Sequence, residues 1–78
     1  EGCFIAGLLV NSTTRAWSNT TFRATLYDTK DRVLASKDFY VFRLPPSTPP
    51  KPGTRKFELD FPGVPYPRVT RLRVVRCF

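Results

Sequence analysis

Apolar and polar side chains alternate with a period of two along much of this chain, most clearly between Phe22 and Asp28. Phe22, Ala24 and Leu26 alternate there with Arg23, Thr25 and Tyr27, so an extended strand has one apolar face and one wet face. The pattern predicts a strand over about 20–28. Asp28-Thr29-Lys30-Asp31-Arg32 then reads as a tight connection, because Asp tolerates left-handed backbone and bonds its own main chain. Residues 3–11 read as a first strand that is apolar on both faces, with Phe4, Ala6, Leu8 and Val10 on one and Cys3, Ile5, Gly7 and Leu9 on the other. Such a strand is covered on both sides or lies at a sheet edge under a loop. Residues 12–20 are polar and turn-forming except for Trp17. Its ring is expected to fold back over the open end of a core rather than stand out as a binding anchor.

The stretch 32–44 is long for one strand. It predicts two strands, 32–36 and 39–44, or one with a bulge near Lys37-Asp38, and aromatics crowd its second half at Phe39, Tyr40 and Phe42. The run from Pro45 to Gly53 cannot join a ladder, because its prolines lack the donor N–H. It reads as a stiff exposed connector with polyproline character, in preference to a ligand for an aromatic groove. Residues 55–61 form another alternating strand, with Phe57, Leu59 and Phe61 facing in and Lys56, Glu58 and Asp60 facing out. Pro62 to Pro67 breaks it. In a last strand over about 68–77, Thr70, Leu72 and Val74 share one parity and Arg71, Arg73, Val75 and Cys77 the other. No segment carries an apolar stripe at helical spacing. Six or seven short strands with frequent turns imply an all-β, antiparallel two-sheet β-sandwich, a single domain over 1–78.

Composition agrees with this: 41 % of the 78 residues are hydrophobic, and eight Pro with four Gly supply turns. No apolar run approaches the roughly 20 residues of a membrane-spanning helix. No Met precedes Glu1, so the chain reads as a processed product or an excised domain. Cys3 and Cys77 sit near opposite ends. Antiparallel pairing of the first and last strands would bring them face to face as a disulfide, worth about 4–5 kcal/mol for so long a loop. That bond implies an oxidising, extracytoplasmic compartment; two free thiols are the alternative. Asn11-Ser12-Thr13 and Asn19-Thr20-Thr21 match the N-glycosylation acceptor pattern.

The chemistry left open is narrow. There is no His, so the commonest acid–base group and metal ligand is missing. Two Cys at opposite ends and scattered carboxylates make a poor metal set, and no Gly-rich loop resembles a phosphate cradle. Asp28 and Asp31 are accounted for by the turn, and Glu58 and Asp60 by a solvent face, so no carboxylate pair is placed for catalysis. No catalytic residue, metal, cofactor or small-molecule substrate is expected. The net charge of +7 is the strongest chemical signal. Arg68, Arg71, Arg73 and Arg76 crowd the last strand, and Arg15, Arg23 or Arg43 could join them from neighbouring strands. A basic face made of Arg23, Arg43, Arg68, Arg71, Arg73 and Arg76 is the candidate binding surface, set against a simpler role of charge in solubility. The expected partner is a protein, with an anionic polymer or membrane surface, and then nucleic acid, as alternatives.

Three stretches carry a family resemblance. Gly7-Leu8-Leu9-Val10-Asn11, the run from Phe22 to Asp28 followed by Val33-Leu34-Ala35-Ser36, and Pro52-Gly53 ahead of Phe57-Glu58-Leu59 resemble the FxLYD-type domains. These are small immunoglobulin-like β-sandwich modules, mostly of bacterial envelope and secreted proteins. The likeness departs from the family in an additional residue between Phe22 and Leu26, in Asp31 where a Gly is usual, and in a longer proline loop. It implies an immunoglobulin-like sandwich, a non-catalytic binding role and an extracytoplasmic location, with no catalytic residues to carry over. A looser resemblance, in size, basicity and a single disulfide, is to small secreted β-sandwich effectors of plant-pathogenic fungi, which would target a host protein.

Overall fold

The structure is a computed structural model describing residues 2–77. Five strands are present among them: β1 (Gly2–Asn11), β2 (Trp17–Tyr27), β3 (Val33–Leu44), β4 (Gly53–Pro62) and β5 (Arg71–Cys77), with a short 3-10 turn at Tyr66–Arg68. They form two antiparallel sheets, β1–β4 and β3–β2–β5, facing each other across one apolar interior. The expected all-β, two-sheet arrangement is present.

The strand count and the pairing differ from expectation. Residues 33–44 form one strand, the second of the two expected alternatives, but without the bulge at Lys37-Asp38. Its polar middle does not break it, because Lys37 Nζ donates to the Asp60 carbonyl of the facing sheet at 2.6 Å and Asp38 pairs with Arg23 at 2.7 Å. The irregularity falls instead between Leu26 and Tyr27, where the β2–β3 register shifts.

The first and last strands, expected side by side, lie in different sheets: β1 pairs with β4 and β5 with β2. Size matching accounts for the choice. β4 sets Phe57 and Phe61 opposite the small Gly7 and Cys3, with Leu59 opposite Ile5 between them, whereas β5 carries arginine at 71, 73 and 76. The expected Cys3–Cys77 disulfide is therefore absent, and both thiols are free. Cys3 is buried in the cluster that holds Leu26, while Cys77 lies opposite Thr21. The strand from Thr21 to Leu26 spans about 17 Å, well beyond the roughly 7 Å a disulfide bridges.

The core is organised by rings. Trp17 and Phe22 stack at 6.3 Å, Phe22 and Phe39 at 5.6 Å, and Phe39 and Phe57 at 5.2 Å, so one stack crosses from β2 through β3 to β4. It joins a cluster around Phe22, Val41 and Leu44 to another around Cys3, Ala24, Leu26, Leu59 and Phe61. Trp17 is the half-buried first residue of β2 rather than a loop residue, and its ring folds onto the end of the core as expected. Gly7 makes room for the stack: a Cβ there would stand 2.9 Å from the Phe57 ring. The proline connector folds back on itself through paired Thr48 and Lys51 main chains and is tied to the β1–β2 connection by a Ser47 N–H donated to the Thr13 carbonyl at 2.7 Å.

Asp28 builds the β2–β3 turn. Its side chain is nearly buried, and one carboxylate oxygen accepts the Lys30 and Arg32 N–H groups at 2.8 and 3.0 Å. The other accepts Arg32 Nε at 3.0 Å, and Asp31 turns the chain at φ 57°. The Arg32 backbone N–H, then the Lys30 N–H and the Arg32 guanidinium, hold this carboxyl below its ordinary range, against burial, which raises it. A depressed folded pKa contributes stability that is complete above the unfolded value of about 3.9 and is lost as pH falls through it towards the folded value. Asp38, depressed by Arg23, titrates with the same sign. Acid unfolding followed by circular dichroism should therefore show a steep loss of stability below about pH 4. Asp28→Asn should be less stable at neutral pH and lose less on acidification; equal acid slopes in the two proteins would contradict this.

Candidate interaction surface

The outer face of β3–β2–β5 gathers more of the expected binding residues than any other surface. Because the residues inside are Phe22, Ala24 and Leu26, their neighbours Thr21, Arg23, Thr25 and Tyr27 point out. Pairing carries that parity across the sheet. Tyr40, Thr21 and Cys77 form one row, Asp38, Arg23 and Val75 the next, then Ser36, Thr25 and Arg73, and last Val33, Tyr27 and Arg71.

Three of the six expected arginines meet on this face, and two are already compensated. Arg23 binds Asp38 through two N–H groups, Nε at 2.7 Å and Nη2 at 3.2 Å, so Asp38 is held low and Arg23 high. The Arg71 guanidinium lies 4.3 Å over the Tyr27 ring and 3.3 Å from an Asp31 oxygen. Arg73, exposed beside Thr25, has no acidic partner among the described residues.

The remaining three lie elsewhere. Arg68 sits in the 3-10 turn, 4.0 Å from Asp28. Arg43 is exposed at the far end of β3, opposite Ser18. Arg76 falls opposite Phe22, on the inward parity, with its guanidinium 4.6 Å over the Trp17 ring. It lines a cleft of about 360 Å³ shared with Leu9, Phe22, Leu44 and Val74. The continuous basic face thus becomes a smaller, partly neutralised one.

What takes its place is aromatic. Tyr40 is 60 % and Phe42 68 % exposed. The Tyr40 hydroxyl donates to Asn19 Oδ1, fixing its ring on the surface. Sequence reasoning treated the run from Phe39 to Phe42 as a crowd and missed Phe42 as a surface group. The signal was there, since Tyr40 and Phe42 share parity with the outward Asp38.

The two acceptor-pattern asparagines differ. Asn11 is 3 % exposed, and its amide donates to the Arg15 and Pro45 carbonyls at 2.8 and 3.0 Å while Oδ1 accepts from Thr13. Both amide hydrogens are engaged, so a glycan there is incompatible with these bonds. Asn19 is exposed, at φ 51°. No family model, curated protein or solved structure matches the chain.

Proposed function

We propose that this is a non-catalytic binding domain that engages a protein partner through the outer face of the three-stranded sheet. The observation that carries this reading is the juxtaposition of exposed Tyr40 and Phe42 with Tyr27, Arg71, Arg73 and Val75 on one sheet. Tyr, Phe and Arg are enriched in protein interfaces, and Tyr and Arg are enriched among their hot spots. Arg23 and Arg71 are held by carboxylates, so a polyphosphate approaching this face would meet Asp38 and Asp31 as well. That favours a protein over a uniform polyanion. An extracytoplasmic site of action and an immunoglobulin-like assignment belong to the same proposal. With the thiols apart, they rest on the FxLYD-like residues and, for a host-targeting effector role, on size and basicity.

Affinity capture with quantitative mass spectrometry tests the reading, comparing the wild type with Phe42→Ala and Arg73→Glu. A specific partner should be recovered by the wild type and lost at least tenfold with either variant, as hot-spot truncation costs about 2 kcal/mol or more. Equal recovery by all three proteins would reject this face. Retention on single-stranded DNA that is salt-dependent and falls with Phe42→Ala would put nucleic acid in the partner's place.

A further inference from the structure

We propose that a second copy of this chain covers the outer face of the β1–β4 sheet, the two copies packing face to face about a two-fold axis. β1 is apolar on both faces, and the chain itself covers one. On the other, Phe4, Leu8 and Val10 are 60 %, 56 % and 60 % exposed, with Ala6 between them. Beside this row β4 presents Thr54, Lys56, Glu58 and Asp60. A depression of about 610 Å³, lined by Ala6, Gly7, Leu8, Lys56, Phe57 and Glu58, can receive a protruding side chain.

Charge selects the occupant. The chain carries a net +7, yet β1 has no charged residue from Gly2 to Asn11. The β4 row sets one lysine against two carboxylates, making this face slightly acidic. The three-stranded face, by contrast, carries Arg23, Arg71 and Arg73 against Asp38 and Asp31, an excess of one positive charge with no pattern that complements itself. A two-fold axis that reverses the strands lays one β1 row on the other. It also brings Lys56 of each copy over the acidic stretch Glu58–Asp60 of its mate. The match is therefore apolar in the middle and complementary at the side.

Area sets the strength. Two strands of ten residues offer a face about 34 Å long and about 10 Å wide. That is a few hundred Å² per copy, against about 800 Å² in a standard stable interface. The dimer is weak and concentration-dependent.

Sedimentation velocity from about 10 µM to about 1 mM, the range in which so small an interface dissociates, tests the proposal. The wild type should pass from monomer to dimer across the series. Leu8→Lys, at an exposed position, should keep the chain monomeric with an unchanged thermal melt. Lys56→Glu leaves the β4 row wholly acidic and should weaken association tenfold or more, with added salt recovering part of the loss. A wild type that stays monomeric throughout, or a dimer indifferent to both variants, overturns the proposal. Open-ended growth beyond the dimer overturns the two-fold arrangement.

Discussion

Phe22→Ala should lower the stability of the domain by about 3–5 kcal/mol, the range for removing a buried aromatic ring. Phe22 is 5 % exposed and stacks on Trp17 on one side and Phe39 on the other. Its loss leaves a cavity and also breaks the stack through which the Val41–Leu44 cluster meets the rest of the core. A chain of 78 residues has a total stability of about 4–12 kcal/mol, so roughly a quarter or more of it would go. Urea unfolding monitored by circular dichroism gives the number. A cost below about 1 kcal/mol would mean that the site collapses on itself and that the two clusters hold independently.

Gly53→Ala should be nearly as costly, for a reason of space rather than lost contact. A Cβ at Gly53 would lie 1.9 Å from the Pro45 carbonyl oxygen, 2.6 Å from its carbon and 2.8 Å from the Pro46 oxygen. All three are main-chain atoms of the proline connector, which no rotamer change can move aside. The same Pro45 carbonyl accepts from Asn11, and Gly53 pairs with Asn11 at the end of the β1–β4 ladder. Displacing it loosens both. Overpacking costs about 1–3 kcal/mol where side chains can yield, and here about 3 kcal/mol or more is expected. Gly63 is the control, with open space around it and a φ of 81°. Gly63→Ala should cost only the left-handed backbone penalty of roughly 1–2 kcal/mol. Equal losses in the two variants, measured by denaturant unfolding, would show that the connector yields.

Faces were legible in the sequence and partners were not. The alternation at Phe22, Ala24 and Leu26 and the turn chemistry of Asp28 are local, so period and side-chain bonding were enough to place them. Pairing is decided at long range. Parity says that Cys3 and Cys77 each belong to a definite face, but many partners satisfy the same parity. The choice of β4 for β1 came from matching Phe57 to Gly7 across a connector whose path no local rule describes. The binding surface failed in the same way. Arginine identity was visible, whereas its neutralisation by Asp38 and Asp31 needed the register. Trp17 was placed in a loop because Ser12 to Thr20 reads as polar; one ring stacked on Phe22 outweighs weak local preference.

The ring stack also gives the molecule an optical handle. Trp17 is the sole tryptophan, and it sits where the outermost ring of the stack meets the Arg76 guanidinium of β5. Its emission therefore samples one end of the sandwich. Movement of β5 away from that end changes the environment of the indole directly, whereas the cluster around Leu26 and Phe61 lies at the other end, out of the indole's reach.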